Sequence, residues 1–350
     1  MCKRVLLGLA AWVALAGLGL AQDKDIVRTI KDLKHEGKIT TSPTEVTIEM
    51  AGVAEKIPIN EVALVAYESE PSELRLARQE VRAGKYEDAL ATLEKLKEPG
   101  DREEILADVE FYRAFCLAKL ALAGAGPVVD AGKAMAAFVK AHPNSYHFFD
   151  AQLLLGDLSA AMGNAAAAQK FYGKVATAPW PDYKMRASVA LGYAYLSAGD
   201  FDKAQAEFDV VIKQRAEGPQ SDAQRQAAIF GKARCLAEAG KAETAVKVVE
   251  GEIEKLAEKE EPDVTTLARA YLTLGIVYDK LGKPKEAMFA LLRVDTLYAA
   301  DREAHAEALF HLVRVFNQLR KPERAKEAQA TLQNQYGESR WARADKPAGQ

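Results

Sequence analysis

Cysteine is scarce in this chain: three in 350 residues, with Cys2 at the extreme amino terminus and Cys116 and Cys235 far apart. Cysteines this few rule out a disulfide-stapled scaffold and predict buried, unpaired thiols at Cys116 and Cys235. Histidine is almost as rare. Five occur, at positions 35, 142, 147, 305 and 311, and none has a partner at metal-ligating spacing; His305 and His311, six apart, fall on different faces of a helix. No Gly-x-Ser-x-Gly elbow is present. Gly124-Ala125-Gly126 with Gly132-Lys133 fails as a phosphate loop, which would need glycine in place of Pro127 and serine or threonine in place of Ala134. Carboxylates are plentiful, but none is isolated among apolar residues as acid–base chemistry would require. The chain therefore reads as non-catalytic, with no cofactor and no metal.

Positive charge is not in surplus either. Lysine and arginine number 47 against 50 aspartates and glutamates, a balance that argues against nucleic acid as partner. No hydrophobic run after Leu20 escapes interruption by charge, so no later membrane span is expected. The one long apolar run is Val5–Leu20, preceded by Lys3 and Arg4 and ending among small residues, which reads as an export signal over residues 1–21. Cleavage is placed after Ala21 or after Ala16; an uncleaved anchor is the alternative, although sixteen apolar residues fall short of the roughly 20 a bilayer needs. Without Lys3 and Arg4 the balance becomes 45 basic against 50 acidic residues, a net charge of −5.

Residues 22–69 alternate with a period of two. Val46, Ile48 and Met50 point one way and Thr47 and Glu49 the other; Ile57 and Ile59 resume the alternation after an Ala51-Gly52 turn. Gly37–Thr41, Val62–Tyr67 and Asp25–Ile30 complete five candidate strands, enough for a small, partly closed barrel. The run EGKITTSPTEVTIEMAGVAEKIPINEVALVAY, residues 36–67, resembles the SH3-like or Sm-like small β modules of exported bacterial proteins.

From Pro71 the pattern changes to helices of about a dozen residues. Three segments align on Gly156, Gly192 and Gly275: each has glycine seven residues on (Gly163, Gly199, Gly282), alanine twelve on (Ala168, Ala204, Ala287) and a large apolar residue sixteen on (Tyr172, Phe208, Leu291). A glycine inside a helix costs about 1 kcal/mol against alanine. Close approach of a neighbouring helix, met by the alanine from the other side, offsets that cost. The second glycine ends the first helix in the left-handed conformation. Weaker copies carry Gly84 and Ala89, Ala134, Gly240 and Ala245, and finally Ala325, where Arg320 replaces the expected glycine.

This rhythm is the signature of the tetratricopeptide repeat, and the chain resembles that family over residues 70–338. AHPNSYHFFDAQLLLGDLSAAMGNAAAAQKFY is similar to repeats of bacterial envelope accessory proteins, which implies a periplasmic or secreted setting. The expected fold is mainly α: a solenoid of about seven helical hairpins, preceded by the β module and followed by a disordered tail over 339–350. The charged stretch Glu250–Asp263 reads as a lengthened helix with a solvated face, ended by Pro262.

The resemblance implies a scaffold whose first helices line a concave groove for a peptide or partner protein. The helical phase assigns to that groove Asp157, Arg186, Tyr193, Arg234, Arg269, Asp279, Arg314 and Asn317. Four arginines among them suggest acidic ligands, because guanidinium forks onto carboxylate; ordinary surface arginines are the plain alternative. In a competing reading the β module binds a cell-wall polymer, with the repeats as spacer or self-associating element. RNA is disfavoured there by six basic against eight acidic residues and a single aromatic, Tyr67.

Overall fold

The computed structural model describes residues 24–96, 100, 102–258 and 263–344. Residues 1–21, read from the sequence as an export signal, Pro262 and the chain beyond Ala344 lie outside these residues.

Five strands come first: β1 (Asp25–Thr29), β2 (Lys34–Thr41), β3 (Glu45–Met50), β4 (Val53–Pro58) and β5 (Val62–Ala66), in spatial order β4-β3-β2-β1-β5 and antiparallel throughout. Ala51 and Gly52 both take positive φ, 52° and 80°, as a two-residue hairpin turn demands, so β3 and β4 pair in tight register with Met50 opposite Val53. β2 serves two partners. Its first half pairs with β1 and its second half with β3, and the changeover falls at Gly37, where a side chain would collide with the Glu49 carbonyl. Val27, Ile39, Val46, Ile48, Ile57, Ile59 and Val65 fill the interior. A single 3-10 turn, Ile59–Glu61, leads into β5, which closes back on β1.

The helices then follow in antiparallel pairs. The first members are α1 (Ser72–Arg82), α3 (Glu103–Leu122), α5 (Phe148–Ala161), α7 (Pro181–Ser197), α9 (Pro219–Glu238), α11 (Val264–Lys280) and α13 (Arg302–Gln318). The second members are α2 (Tyr86–Glu94), α4 (Val128–Ala141), α6 (Ala165–Val175), α8 (Phe201–Lys213), α10 (Ala242–Ala257), α12 (Pro284–Leu297) and α14 (Pro322–Tyr336). Seven hairpins result among the described residues, as the alanine count anticipates.

The small residues act as the spacing implies, with one refinement. A Cβ on Gly192 would stand 2.6 Å from the Phe208 ring and one on Gly275 2.5 Å from Leu291; Gly156 is filled in the same way by Tyr172. So the mid-helix glycine and the large residue sixteen later form one contact, a bump in a hole. Phe208 also presses on Gly231 of α9, so one ring locks its own hairpin to the next. Gly84, Gly163, Gly199, Gly240 and Gly282 end first helices with φ of 72° to 78°, and Arg320 takes the same place at 55°.

In the second hairpin the crossing alanine is Ala131, 2% exposed, and not Ala134, which is only partly buried. The shared feature is position: Ala89, Ala168, Ala204, Ala245, Ala287 and Ala325 each lie four residues past the helix N-cap, and α4 is capped at Pro127. Gly124 takes positive φ three residues before that cap instead of one, so the connection is two residues longer and the register moves back.

The β module is not a bead on a string. Its core is continuous with Leu74, Ala77, Ala89, Leu93, Ile105 and Val109 of the first hairpins. Arg102 forks onto the buried Asp25 with contacts of 2.6 and 2.8 Å, and Asp25 also accepts the Ile39 and Glu68 backbone N–H groups. Burial acts to raise the Asp25 carboxyl, but Arg102 and the two N–H donors outweigh it and hold it below its ordinary value. Deeper in, Asp108 accepts from Arg78 at 2.5 Å, Tyr146 at 3.0 Å and His147 at 3.2 Å, while Arg78 also reaches Glu70 at 2.7 Å. Each buried charge there has a counter-charge, which is the condition for tolerating it.

Where composition predicts a disordered tail from residue 339, the chain forms one more short helix, α15 (Arg340–Ala344). Trp341 packs against Phe310 with the rings tilted by 39°, and Ala342 is fully buried. Apolar burial against α13 and α14 stabilises what composition alone does not.

Candidate partner groove

The sequence-assigned groove residues all lie on first helices: Asp157 on α5, Arg186 and Tyr193 on α7, Arg234 on α9, Arg269 and Asp279 on α11, Arg314 and Asn317 on α13. Asn317 is exposed, while most of the others have partners inside the chain. Arg186 donates to Asp150 at 2.9 Å and lies over the Tyr183 ring. Arg234 donates to Glu307 at 2.8 Å, Arg269 to Asp301 at 3.2 Å, and Arg314 to Asp279, whose other oxygen accepts from Gln318. Tyr193 donates its hydroxyl to the Ala227 carbonyl at 3.0 Å. All four arginines therefore hold carboxylates of other repeats, three of them in the adjacent repeat and Arg234 two repeats on. The ladder is self-neutralised.

The carboxylate partners Asp150, Glu307 and Asp301 were not singled out in the sequence, although a signal was present. Three of the pairs join residues 36, 32 and 35 positions apart, about one repeat, and Arg234–Glu307 joins residues 73 apart, about two. Opposite charges one repeat apart on first helices meet because stacking repeats brings equivalent positions together.

Burial sorts these groups electrostatically. It pushes the Asp157 carboxyl up to about 6, against the hydrogen bond from the Tyr172 hydroxyl at 2.8 Å. It acts in the same direction on Glu307, but Arg234 and His311 outweigh it and hold that carboxyl at about 2. For His311, burial lowers the imidazole and outweighs the stabilising Glu307.

Family models for the tetratricopeptide repeat match residues 186–217 and 268–301, which are hairpins α7–α8 and α11–α12. This is a tetratricopeptide-repeat array. A tetratricopeptide repeat protein from Parabacteroides merdae has a similar structure, with 14% identity, a TM-score of 0.50 and coverage of 75% of this chain and 91% of that one. A Rap protein, complexed with competence and sporulation factor, is similar at 17% identity and a TM-score of 0.50, covering 77% of this chain and 76% of its own. No curated protein sequence matches the chain.

The tetratricopeptide array curves far enough for its ends to meet. Arg302, in the first turn of α13, reaches Glu87 of α2 at 3.4 Å; Glu303 adds to the upward push on Asp157 of α5. The Glu338 backbone N–H donates to the Gly124 carbonyl at 3.0 Å, and Arg340 donates to the Ser197 hydroxyl at 3.1 Å. Two hollows flank the β module: one of about 920 Å³ over Gly37, Thr40, Glu49, Met50 and Arg102, and one of about 240 Å³ among Thr41, Tyr67, Glu103, Asp108 and Tyr146. No helix among the described residues is long and apolar enough to cross a membrane.

Proposed function

We propose that the chain is a non-catalytic scaffold of the bacterial cell envelope that holds a peptide or an extended segment of a partner protein along the concave face of its repeats. The observation that carries this reading is the set of ion pairs Arg186–Asp150, Arg234–Glu307, Arg269–Asp301 and Arg314–Asp279, which link first helices of different repeats from α5 to α13 and support a shared polar face there. Such a surface matches the repeat distance of an extended chain or a helix better than it matches a small molecule. The Rap neighbour, whose structure contains competence and sporulation factor, supports the reading by fold alone. Export rests on Lys3, Arg4 and the Val5–Leu20 run.

A partner favoured by this ladder carries carboxylates that replace Glu307 or Asp301 on Arg234 and Arg269. The alternating charges also admit a partner of mixed sign that adds to both. A photo-crosslinking residue placed at Asn317, on the groove, and another at Phe289, exposed on α12, test the assignment in cells. Adducts at 317 and none at 289 are expected. Adducts at 289 alone would remove the groove from consideration. Reversing Arg234 and Arg269 to glutamate is expected to abolish the adducts; unchanged adducts would dispose of the carboxylate ligand. Amino-terminal sequencing of protein recovered from the periplasm is expected to begin at Gly17 or Gln22.

A further inference from the structure

The segment after α14 has two unlike sides. Its inner side is apolar: Trp341 lies 5.3 Å from the Phe310 ring, Ala342 is fully buried, and Gln333 donates to the Ala342 carbonyl at 2.9 Å. These contacts fasten α15 to its own hairpin. The outer side touches distant repeats through a few polar contacts: Glu338 N–H to the Gly124 carbonyl, Arg340 to Ser197, and nearby Arg302 to Glu87. Arg302 and Glu87 are both substantially exposed, at 36% and 56%, and such pairs hold weakly.

Gly124 shows that this outer contact is fitted. It ends α3 with φ of 78°, as Gly163 ends α5 with 73°, yet a Cβ on Gly124 would stand 2.5 Å from the Ser339 nitrogen while one on Gly163 would meet nothing within 4 Å. The two glycines share a backbone role and differ in this contact.

We propose that residues 337–344 are a clasp that holds the last repeat against the second and fourth, closes the concave channel, and must part on its polar side before a partner enters. This rests on the groove reading above. Because the apolar side stays attached, opening widens the superhelix without unfolding a hairpin; repeat arrays yield this way because each unit contacts chiefly its neighbours. The partner that opens the clasp is a polypeptide segment long enough to span repeats one to four, and it competes with Arg302–Glu87 and Arg340–Ser197.

The test compares the full chain with Gly124→Ala, Gly163→Ala and Arg340→Ala. Gly163→Ala carries the same backbone penalty as Gly124→Ala without the collision, so thermal unfolding of the two separates lost folding from lost closure. Scattering should show a larger radius of gyration, and hydrogen exchange a rate at least tenfold higher at Glu338, for Gly124→Ala and Arg340→Ala but not for Gly163→Ala. A displayed library of random twelve-residue peptides should then be enriched on the two opened variants several-fold over the parent. Equal radii and exchange in all four proteins would overturn the clasp and leave groove binding standing. Opened variants that retain no more peptide than a parent that itself binds would overturn the gating. Opened variants and parent that both retain none would overturn the groove reading and the gate with it.

Discussion

At the scale of single residues, the hairpin is a fit between an absent side chain and a large one. Gly192 leaves the space that Phe208 fills, so Gly192→Ala gains about 1 kcal/mol of helix propensity and loses more to overpacking, typically about 1–3 kcal/mol. A net loss of up to about 2 kcal/mol in chemical unfolding is expected, partly restored by adding Phe208→Leu; no restoration would mean the two positions are uncoupled. Asp157 gives a signed pH effect. Its carboxyl rises from 3.8 to about 6 on folding, so the stabilising preference for the protonated form is complete below pH 4 and is lost as pH rises through 6. Asp157→Asn is therefore expected to be neutral at pH 4 and more stable than the parent by about 1–2 kcal/mol at pH 8, read from urea midpoints. Glu307 behaves oppositely. Held at about 2, it stabilises above pH 4.5 and loses that contribution as pH falls through 2; Glu307→Gln, which strands the mostly buried Arg234, should cost about 2–4 kcal/mol at pH 7.

At the scale of elements, position relative to the cap decides more than residue type. The alanine rhythm in the sequence points to Ala134 because an apolar Phe138 follows it by four, yet Ala131 with Met135 makes the same pattern and is the pair that packs. Either choice satisfies a period of 3.6; the length of the turn after Gly124 selects between them. The last hairpin shows the converse. Arg320 occupies the left-handed position that glycine holds in its siblings, at a cost of about 1–2 kcal/mol. Arg320→Gly should therefore raise the melting temperature, and a fall would show that the exposed Arg320 side chain contributes more than its backbone strain costs. The five strands were readable from alternation and the Ala51-Gly52 turn, whereas α15 was not, because a five-residue helix rich in charge has no periodic signature and exists by docking Trp341 and Ala342.

At the scale of the whole molecule, the β module and the first repeats share one core, and Arg102–Asp25 is the charged tie between them. Arg102→Ala leaves Asp25, 3% exposed, without its main counter-charge and should cost about 3 kcal/mol, with loss of exchange protection in β1 and at Ile39 before any loss in α9–α14. Simultaneous loss across the array would show that module and repeats unfold as one cooperative unit.

Small residues at a fixed spacing, a period of two giving way to one of 3.6, and glycines at helix ends determined the architecture, because these are local requirements on backbone conformation and close contact that each segment must meet within its own hairpin. Which carboxylate answers which arginine, and that residues 337–344 reach back to Gly124 and Ser197, were decided only by the curvature of the stacked repeats. That curvature is a sum of small rotations between neighbours, and no single segment encodes the sum.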